Sequence, residues 1–342
     1  MLKILVTGGA GYIGSHTAVE LLKIGHDVVI YDNFINSSKK CVDSIREVIS
    51  TCVSAGVLYL VEGDVSDEIS LNEVFCNHQF DLVLHFAGLK SVSESNMEPI
   101  SYYSTNFVGT LTLCNAMAKA GVFAIIFSSS ATVYGDCQLV PITENCSGTE
   151  PVNPYGRSKM MAEILLTDLA RSDSRWAVGL LRYFNPVGAH ESGLIGESPV
   201  GVPNNLFPYI ADVASGKLSH LSIFGADYPT KDGTGIRDYI HVSDLALGHL
   251  AAMKWVLGNK GVETWNLGTG KGYSVLEVIE VFKRVSGKDV SCKLEARRQG
   301  DVAESYADPS KAFEELQWQA TFNLDRMVAD TWRWKTVMPS GY

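Results

Sequence analysis

Tyr155 and Lys159 stand four residues apart in Asn153-Pro154-Tyr155-Gly156-Arg157-Ser158-Lys159. Pro154 suits the first turn of a helix, so the two side chains share one helical face about a turn apart. That spacing can turn a tyrosine into a base. A free phenol titrates near ~10, and bringing it to ~7 takes about 4 kcal/mol of preferential stabilisation of the phenolate. An adjacent ammonium and a positively charged cofactor ring can supply this. Ser128-Ser129-Ser130 closes an apolar run, and Ser130, its last hydroxyl, is placed to hydrogen-bond a reacting oxygen. Such a set moves a proton on and off an alcohol. A tyrosine and a lysine at this spacing also arise by chance on amphipathic helices, so the set gains meaning from what positions it.

A glycine-rich loop supplies that context. Thr7-Gly8-Gly9-Ala10-Gly11-Tyr12-Ile13-Gly14 follows an apolar strand pattern and opens a helix. It holds G-x-G-x-x-G at Gly9, Gly11 and Gly14, and G-x-x-G-x-x-G at Gly8, Gly11 and Gly14. Glycines permit a tight turn, close approach to a pyrophosphate and close packing of helix on strand. The helix N-terminus adds unpaired N–H groups and partial positive charge. The second strand pattern ends in Asp32, whose carboxylate can accept both hydroxyls of an adenosine ribose and would repel a 2′-phosphate. The cofactor expected is therefore NAD rather than NADP. Gly63-Asp64-Val65 follows the third strand pattern, within reach of an adenine. Phe86-Ala87-Gly88 follows the fourth, where small residues let the backbone run against a cofactor.

The elements that carry these groups alternate in period. Apolar, β-branched runs occur at Lys3–Thr7, His26–Tyr31, Val57–Val61, Asp81–Phe86, Ala124–Ser128 and Ala177–Tyr183. Helical spacing fills Ile13–Ile24, Tyr102–Ala120 and Pro154–Arg171. The expected fold is α/β, a doubly wound parallel Rossmann sheet with helices on both faces. After Asn185 the pattern changes. Pro186–Pro208 is rich in Gly, Pro and Asn with no clear strand, and helices are expected at Ser243–Trp255, Ser274–Val285 and Leu324–Val337. The domains expected are 1–185 for the cofactor and a smaller mixed α/β unit, 186–342, for the substrate. The chain is expected to cross back to the first unit around 237–250.

Composition narrows the partners. At 342 residues, 46% of them hydrophobic and 19% charged, the chain should fold as an ordinary globular protein of about two domains. A net charge of −10 disfavours nucleic acid and anionic membranes. Seven cysteines with no C-x-x-C pair read as free thiols in a reducing compartment, with no disulfide and no metal site. Met1 leads straight into a strand pattern, and no apolar run approaches a membrane span. The expectation is a cytosolic protein.

The motifs together resemble the extended short-chain dehydrogenases/reductases, and within them the UDP-glucose 4-epimerase family. The resemblance runs from Leu2 to about Trp334 through TGGAGYIGSH from Thr7, Asp32-Asn33, HFAGLK from His85, SSSATVYG from Ser128, NPYGRSK from Asn153, LRYFNPVGAH from Leu181, GVPNNL from Gly201, DGTGIRDYIHV from Asp232 and WNLGTG from Trp265. It implies Tyr155, Lys159 and Ser130 as catalytic residues. It implies cofactor contacts from Gly8, Gly11, Tyr12, Ile13, Gly14, Asp32, Asn33, Asn36, Ser37, Asp64, Val65, Phe86, Ala87, Gly88, Lys90, Asn106, Tyr155, Lys159 and Tyr183. For the UDP-sugar it implies Ser130, Tyr155, Phe184, Asn185, Asn205, Leu206, Phe224, Arg237, Arg298, Asp301 and Ser305. Within that set Arg237 and Arg298 suit the diphosphate, because a guanidinium binds it in bidentate fashion. Asp301 resembles the carboxylate on the uridine ribose, and Phe224 the residue beside uracil. Tyr183 and Phe184 can equally be a buried aromatic pair at a strand end, and either arginine can be a surface ion pair.

Relatives that eliminate water carry an Asp-Glu pair just after the active serine or threonine. Ala131 and Thr132 occupy those places here, and neither moves a proton at neutral pH. What the resemblance implies is reversible, NAD-dependent oxidation at sugar C4 through a 4-keto sugar, interconverting UDP-galactose and UDP-glucose. Ser305 falls where sugar-restricted bacterial epimerases carry tyrosine, so the N-acetylhexosamine pair is expected to fit as well. Thr105 falls where some relatives have Asn, with Asn106 beside it. The resemblance further implies a homodimer built on Tyr102–Ala120 and Pro154–Arg171. A sugar-nucleotide dehydrogenase and a non-enzymatic nucleotide-sugar sensor stay open as alternatives.

Overall fold

A computed structural model of the chain describes every residue except 138, 147–149, 200, 202 and 299–300. The apolar runs of the first half form β1 (Lys3–Thr7), β2 (Asp27–Asp32), β3 (Leu58–Glu62), β4 (Leu82–His85), β5 (Ala124–Ser130) and β6 (Ala177–Tyr183). Beyond them lie β7 (Asn185–Val187), β8 (Leu221–Phe224), β9 (Ile236–His241), β10 (Gly261–Leu267), β11 (Gly272–Ser274), β12 (Cys292–Glu295) and β13 (Glu304–Ser305). Seven of these make one parallel sheet in the order β10-β6-β5-β4-β1-β2-β3. The order reverses between β1 and β4, and in such sheets ligands bind in the crevice at the carboxyl ends beside that point.

Alternation along each strand feeds two cores. Ile4, Val6, Val28 and Ile30 pack on one face with Ala18, Leu22, Leu245 and Trp265. Leu5, Val29 and Phe127 pack on the other with Leu71, Leu113, Met117 and Leu166. Burial on both faces is why these strands read as continuous apolar runs. A third core, with Phe207, Ile223, Tyr239, Phe282 and Met327, belongs to the second half of the chain. There β11, β9 and β13 form a small sheet with β7 alongside β9, and β12 pairs with β8.

The structure adds to the sequence expectations at some places and departs from them at others. The return to the large sheet is made by the helix Val242–Gly258 and then by β10, which pairs along the edge of β6. Residues 261–267 therefore belong to the first sheet although they lie in the second half of the chain. The stretch 186–208 was expected to hold no strand, but Asn185–Val187 pairs with β9. Tyr102–Ala120 is not one α-helix. It runs as Pro99–Tyr102, a π-helical turn Tyr103–Val108, and an α-helix Gly109–Ala120. The widened turn carries Asn106, which is buried and bonds the Leu89 backbone at both N–H (2.8 Å) and C=O (3.0 Å). Such turns recur near functional sites. Helices Lys39–Ile49 and Glu68–Asn77, capped by Ser38 and Asp67, add to those expected. Among the described residues no helix is long and apolar enough to cross a membrane.

The cysteine expectation is corrected too. Cys137 and Cys146 form a disulfide, while Cys41, Cys52, Cys76, Cys114 and Cys292 are free. The loop between β5 and the helix Pro154–Ser172 doubles back, bringing the two Cα atoms within 6.9 Å. Nothing in their spacing of nine residues announces that turn.

One buried ion pair ties the sheet to that helix. The Glu163 carboxylate accepts from Arg182 on β6 at 3.0 and 2.6 Å and from the Ser129 hydroxyl on β5 at 2.5 Å. Both charged side chains are largely buried, at 16% exposure for Arg182 and 8% for Glu163. Arg182→Met strands the carboxylate without its cation and is expected to destabilise the chain by about 3–5 kcal/mol. Glu163→Leu/Arg182→Met, which removes both charges, is expected to cost far less. Urea denaturation of the three proteins checks this; equal losses in the single and double variants would contradict it.

Candidate active site

The crevice begins with backbone against backbone. Gly8 has φ +67°, and a Cβ there would meet Ala87 N at 2.6 Å. A Cβ on Gly14 would meet Gly8 O at 2.5 Å. The loop can therefore approach a ligand only as bare backbone. No side chain caps the helix Tyr12–Lys23, so its first-turn amides face the crevice with the positive end of the helix dipole. Asp32, at the end of β2, accepts from Ala10 N at 2.9 Å, from Phe34 N at 2.9 Å and from the Ser37 hydroxyl at 2.8 Å. These bonds fix its carboxylate at the place where a ribose would sit. Asn33 donates to Asp64 at 2.6 Å, joining the ends of β2 and β3. Asp64 titrates below its ordinary value: burial acts to raise it, but bonds from Ser66 and Asn33 outweigh that. Asn36 is exposed. The Val65 side chain is buried in the core, so any contact it makes with a ligand is through backbone. This cradle, its free helix end and its fixed carboxylate fit an adenine dinucleotide without a 2′-phosphate.

The chemical set lies across the crevice on β5 and the helix Pro154–Ser172. Asn153 caps that helix through Gly156 N at 2.9 Å, with Pro154 in the first turn. Tyr155 opens that helix, with the Ser130 hydroxyl in its electrostatic surroundings. Burial holds the phenol above its ordinary value, and the Ser130 hydroxyl works against that. Ser130 accepts from Thr132, at 3.2 Å from N and 3.0 Å from Oγ1. Lys159 is 4% exposed. Its ammonium donates to Ser128 O at 2.8 Å and lies 4.8 Å over the Phe127 ring. Burial lowers it to about 8, with Glu163 pulling the other way. Tyr102 stands edge-on to Tyr155 at 6.4 Å. Gly88 closes the site: a Cβ there would lie 2.9 Å from Asn106 Oδ1 and 3.4 Å from Lys159 Nζ.

Other expected residues divide. The Tyr183 hydroxyl is bonded to His249 and its ring is buried, which anchors it in the protein. Phe86 packs against the same histidine at 4.8 Å. Phe184 is buried with Val133, Tyr134 and Ala307. In the second lobe Arg298 lies 4.7 Å over the Phe224 ring and bonds Asp301 at 3.0 Å, so three expected residues meet. Arg237 bonds Ile236 O at 2.8 Å and pairs in register with Ser305. Asn185 donates to Asp238 O at 2.9 Å. Asn205 and Leu206 open the helix Leu206–Ala214.

One hub was not foreseen. Glu197 Oε1 accepts from Lys90 and from Asn205, each at 2.7 Å, and so links an expected cofactor residue to an expected substrate residue. Glu197 sits in the glycine- and proline-rich run, and no spacing marks it. Glu163 was missed as well, although it continues the i, i+4 series of Tyr155 and Lys159 and could have been found there.

The family model described as GDP-mannose 4,6 dehydratase matches residues 5–331. A UDP-glucose 4-epimerase of Bacillus subtilis is 52% identical over 341 residues, covering 100% of this chain and 99% of that protein. One from Mus musculus is 50% identical over 345 residues, with the same shares covered. The crystal structure of UDP-glucose 4-epimerase from Bifidobacterium longum in complex with NAD+ and UDP shares 48% identity at a TM-score of 0.95, over 99% of this chain and 100% of that one. With about every second residue shared along the whole length of proteins that carry this fold, the chain belongs to the UDP-glucose 4-epimerase family of the extended short-chain dehydrogenases/reductases.

Proposed function

We propose that the chain interconverts UDP-galactose and UDP-glucose with NAD as its resident cofactor. The observation that carries this is Tyr155 at the start of its helix, one turn before a buried Lys159 whose ammonium is held on Ser128 O at 2.8 Å at the end of β5. The glycine cradle and Asp32 would hold the adenosine half, and Lys159 the nicotinamide ribose. NAD, when bound, supplies reversible acceptance of the hydride at sugar C4. Tyr155 takes the proton of the 4-hydroxyl and later returns it, while Ser130 steadies the same oxygen. Burial keeps the phenol protonated in the chain alone, so it becomes a base only with positive charge brought beside it. Near pH 7 the Lys159 ammonium, at about 8, is mostly charged and contributes. Arg237 and Arg298 grip the diphosphate, and that remote binding retains the 4-keto sugar while it turns its other face.

We extend the reading to the N-acetylhexosamine pair. Ser305 is small and half-buried, and it lies opposite Arg237, where a tyrosine would be far bulkier. We also propose a homodimer. Val108 and Leu111, together with Met161 and Ile164 of the helix Pro154–Ser172, are exposed apolar side chains on the two segments that would pair, and such faces mark contact surfaces.

Purified protein given UDP-galactose without added NAD is expected to form UDP-glucose at constant total nucleotide sugar. Tyr155→Phe is expected to reduce turnover by at least about 10²-fold. NADH released in proportion to product would point to a dehydrogenase instead. Ser305→Tyr is expected to spare hexose turnover and remove turnover of the N-acetyl pair; a wild type inactive on that pair sinks the extension. Sedimentation velocity is expected to give one species of twice the chain mass, and a monomer at micromolar concentration rejects the dimer.

A further inference from the structure

Tyr228 lies in the loop after β8, close to Phe224, and is 6% exposed. Its N–H donates to Gly233 O at 2.9 Å. The Arg297 guanidinium covers its ring at 4.2 Å and is itself held by the Asp227 carboxylate at 2.7 Å. A Cβ on Gly225 would meet the ring edge at 2.5 Å. Packing on both sides fixes the ring, and with it the direction of the hydroxyl. Among the described residues that hydroxyl is buried without a hydrogen-bond partner. An orphaned buried hydroxyl costs about 1–3 kcal/mol, and native folds keep such groups where something outside the chain completes them.

Its surroundings show what that is. Asp301, Arg237, Arg297 and Arg298 are the charged groups within electrostatic reach; burial and Asp301 raise the phenol, and the three arginines act against them. The hydroxyl is thus a neutral donor at physiological pH. A guanidinium has no lone pair to accept it, and no hydrogen bond joins it to the Asp301 carboxylate, which holds Arg298 through Oδ2. The acceptor must be brought in. We propose that Tyr228 is a further binding residue for the nucleotide, its hydroxyl donating to an oxygen of the nucleoside diphosphate held by Arg237 and Arg298. The assignment rests on the UDP-sugar reading above. It differs from the roles expected of Phe224, Arg298 and Asp301, because Tyr228 recognises the ligand through a group that serves no purpose in the fold.

Tyr228→Phe separates these roles. Calorimetric titration with UDP is expected to show about five- to tenfold weaker binding in the variant. The unfolding midpoint without UDP is expected to be unchanged or higher, because an unsatisfied hydroxyl has been removed. Equal UDP affinity overturns the proposal. So does a lower midpoint without UDP, which would mean that the hydroxyl serves the fold. A wild type that fails to bind UDP overturns the UDP-sugar reading itself, and the inference with it.

Discussion

The site depends on how closely two loops can approach each other at the point where the sheet reverses direction. Gly8 and Ala87 meet there with no side chain between them, and the strands behind them are joined by the buried bond between the Thr7 hydroxyl and the His85 ring at 2.7 Å. Any Cβ at Gly8 would push β1 and β4 apart at their carboxyl ends. The floor of the crevice, the free end of the helix Tyr12–Lys23 and the separation between Asp32 and the Tyr155 side all follow from that contact. The helices on each face then need only ordinary apolar packing to hold the frame.

A second constraint governs the chemistry. Tyr155, Lys159 and Glu163 occupy successive turns of one helix, and the last two are bonded to neighbouring residues of β5, Ser128 and Ser129. The strand end and the helix are thereby locked in register by two buried polar contacts. Arg182 extends the lock to β6, stacks 4.8 Å from the Tyr134 ring and reaches Glu144 O at 3.2 Å. Tyr134 passes it on to Asn266 of β10 at 2.6 Å. The groups proposed to handle the proton are thus braced by the buried Glu163–Arg182 pair.

Much of this was legible in the sequence. Period-two and both-faces-buried runs located six strands to within two residues, because parallel strands carry a continuous apolar signal. The glycine loop, Asp32 and the Tyr155–Lys159 spacing were legible because each is local. What was not legible is what the chain brings together from afar. The Glu197 link between Lys90 and Asn205 joins residues more than a hundred positions apart, and no periodicity encodes it. The Cys137–Cys146 bridge depends on a reversal within a loop. The π-helical turn at Tyr103–Val108 arises from tertiary bonds made by Asn106, where helical propensity alone reads straight through. The bond that anchors the Tyr183 hydroxyl on His249 is likewise made across 66 positions of sequence.

β10 has a consequence for how the chain is made. Synthesis proceeds from the N-terminus, so β6 is exposed along one edge until residue 267 has left the ribosome. An unpaired parallel edge is a template for misjoining, and closing it brings together segments separated by some eighty residues, a slow kind of contact. A fragment ending at Asn185 would therefore lack a finished sheet and would not behave as an independent unit. As a folding body the chain is bound together from both ends.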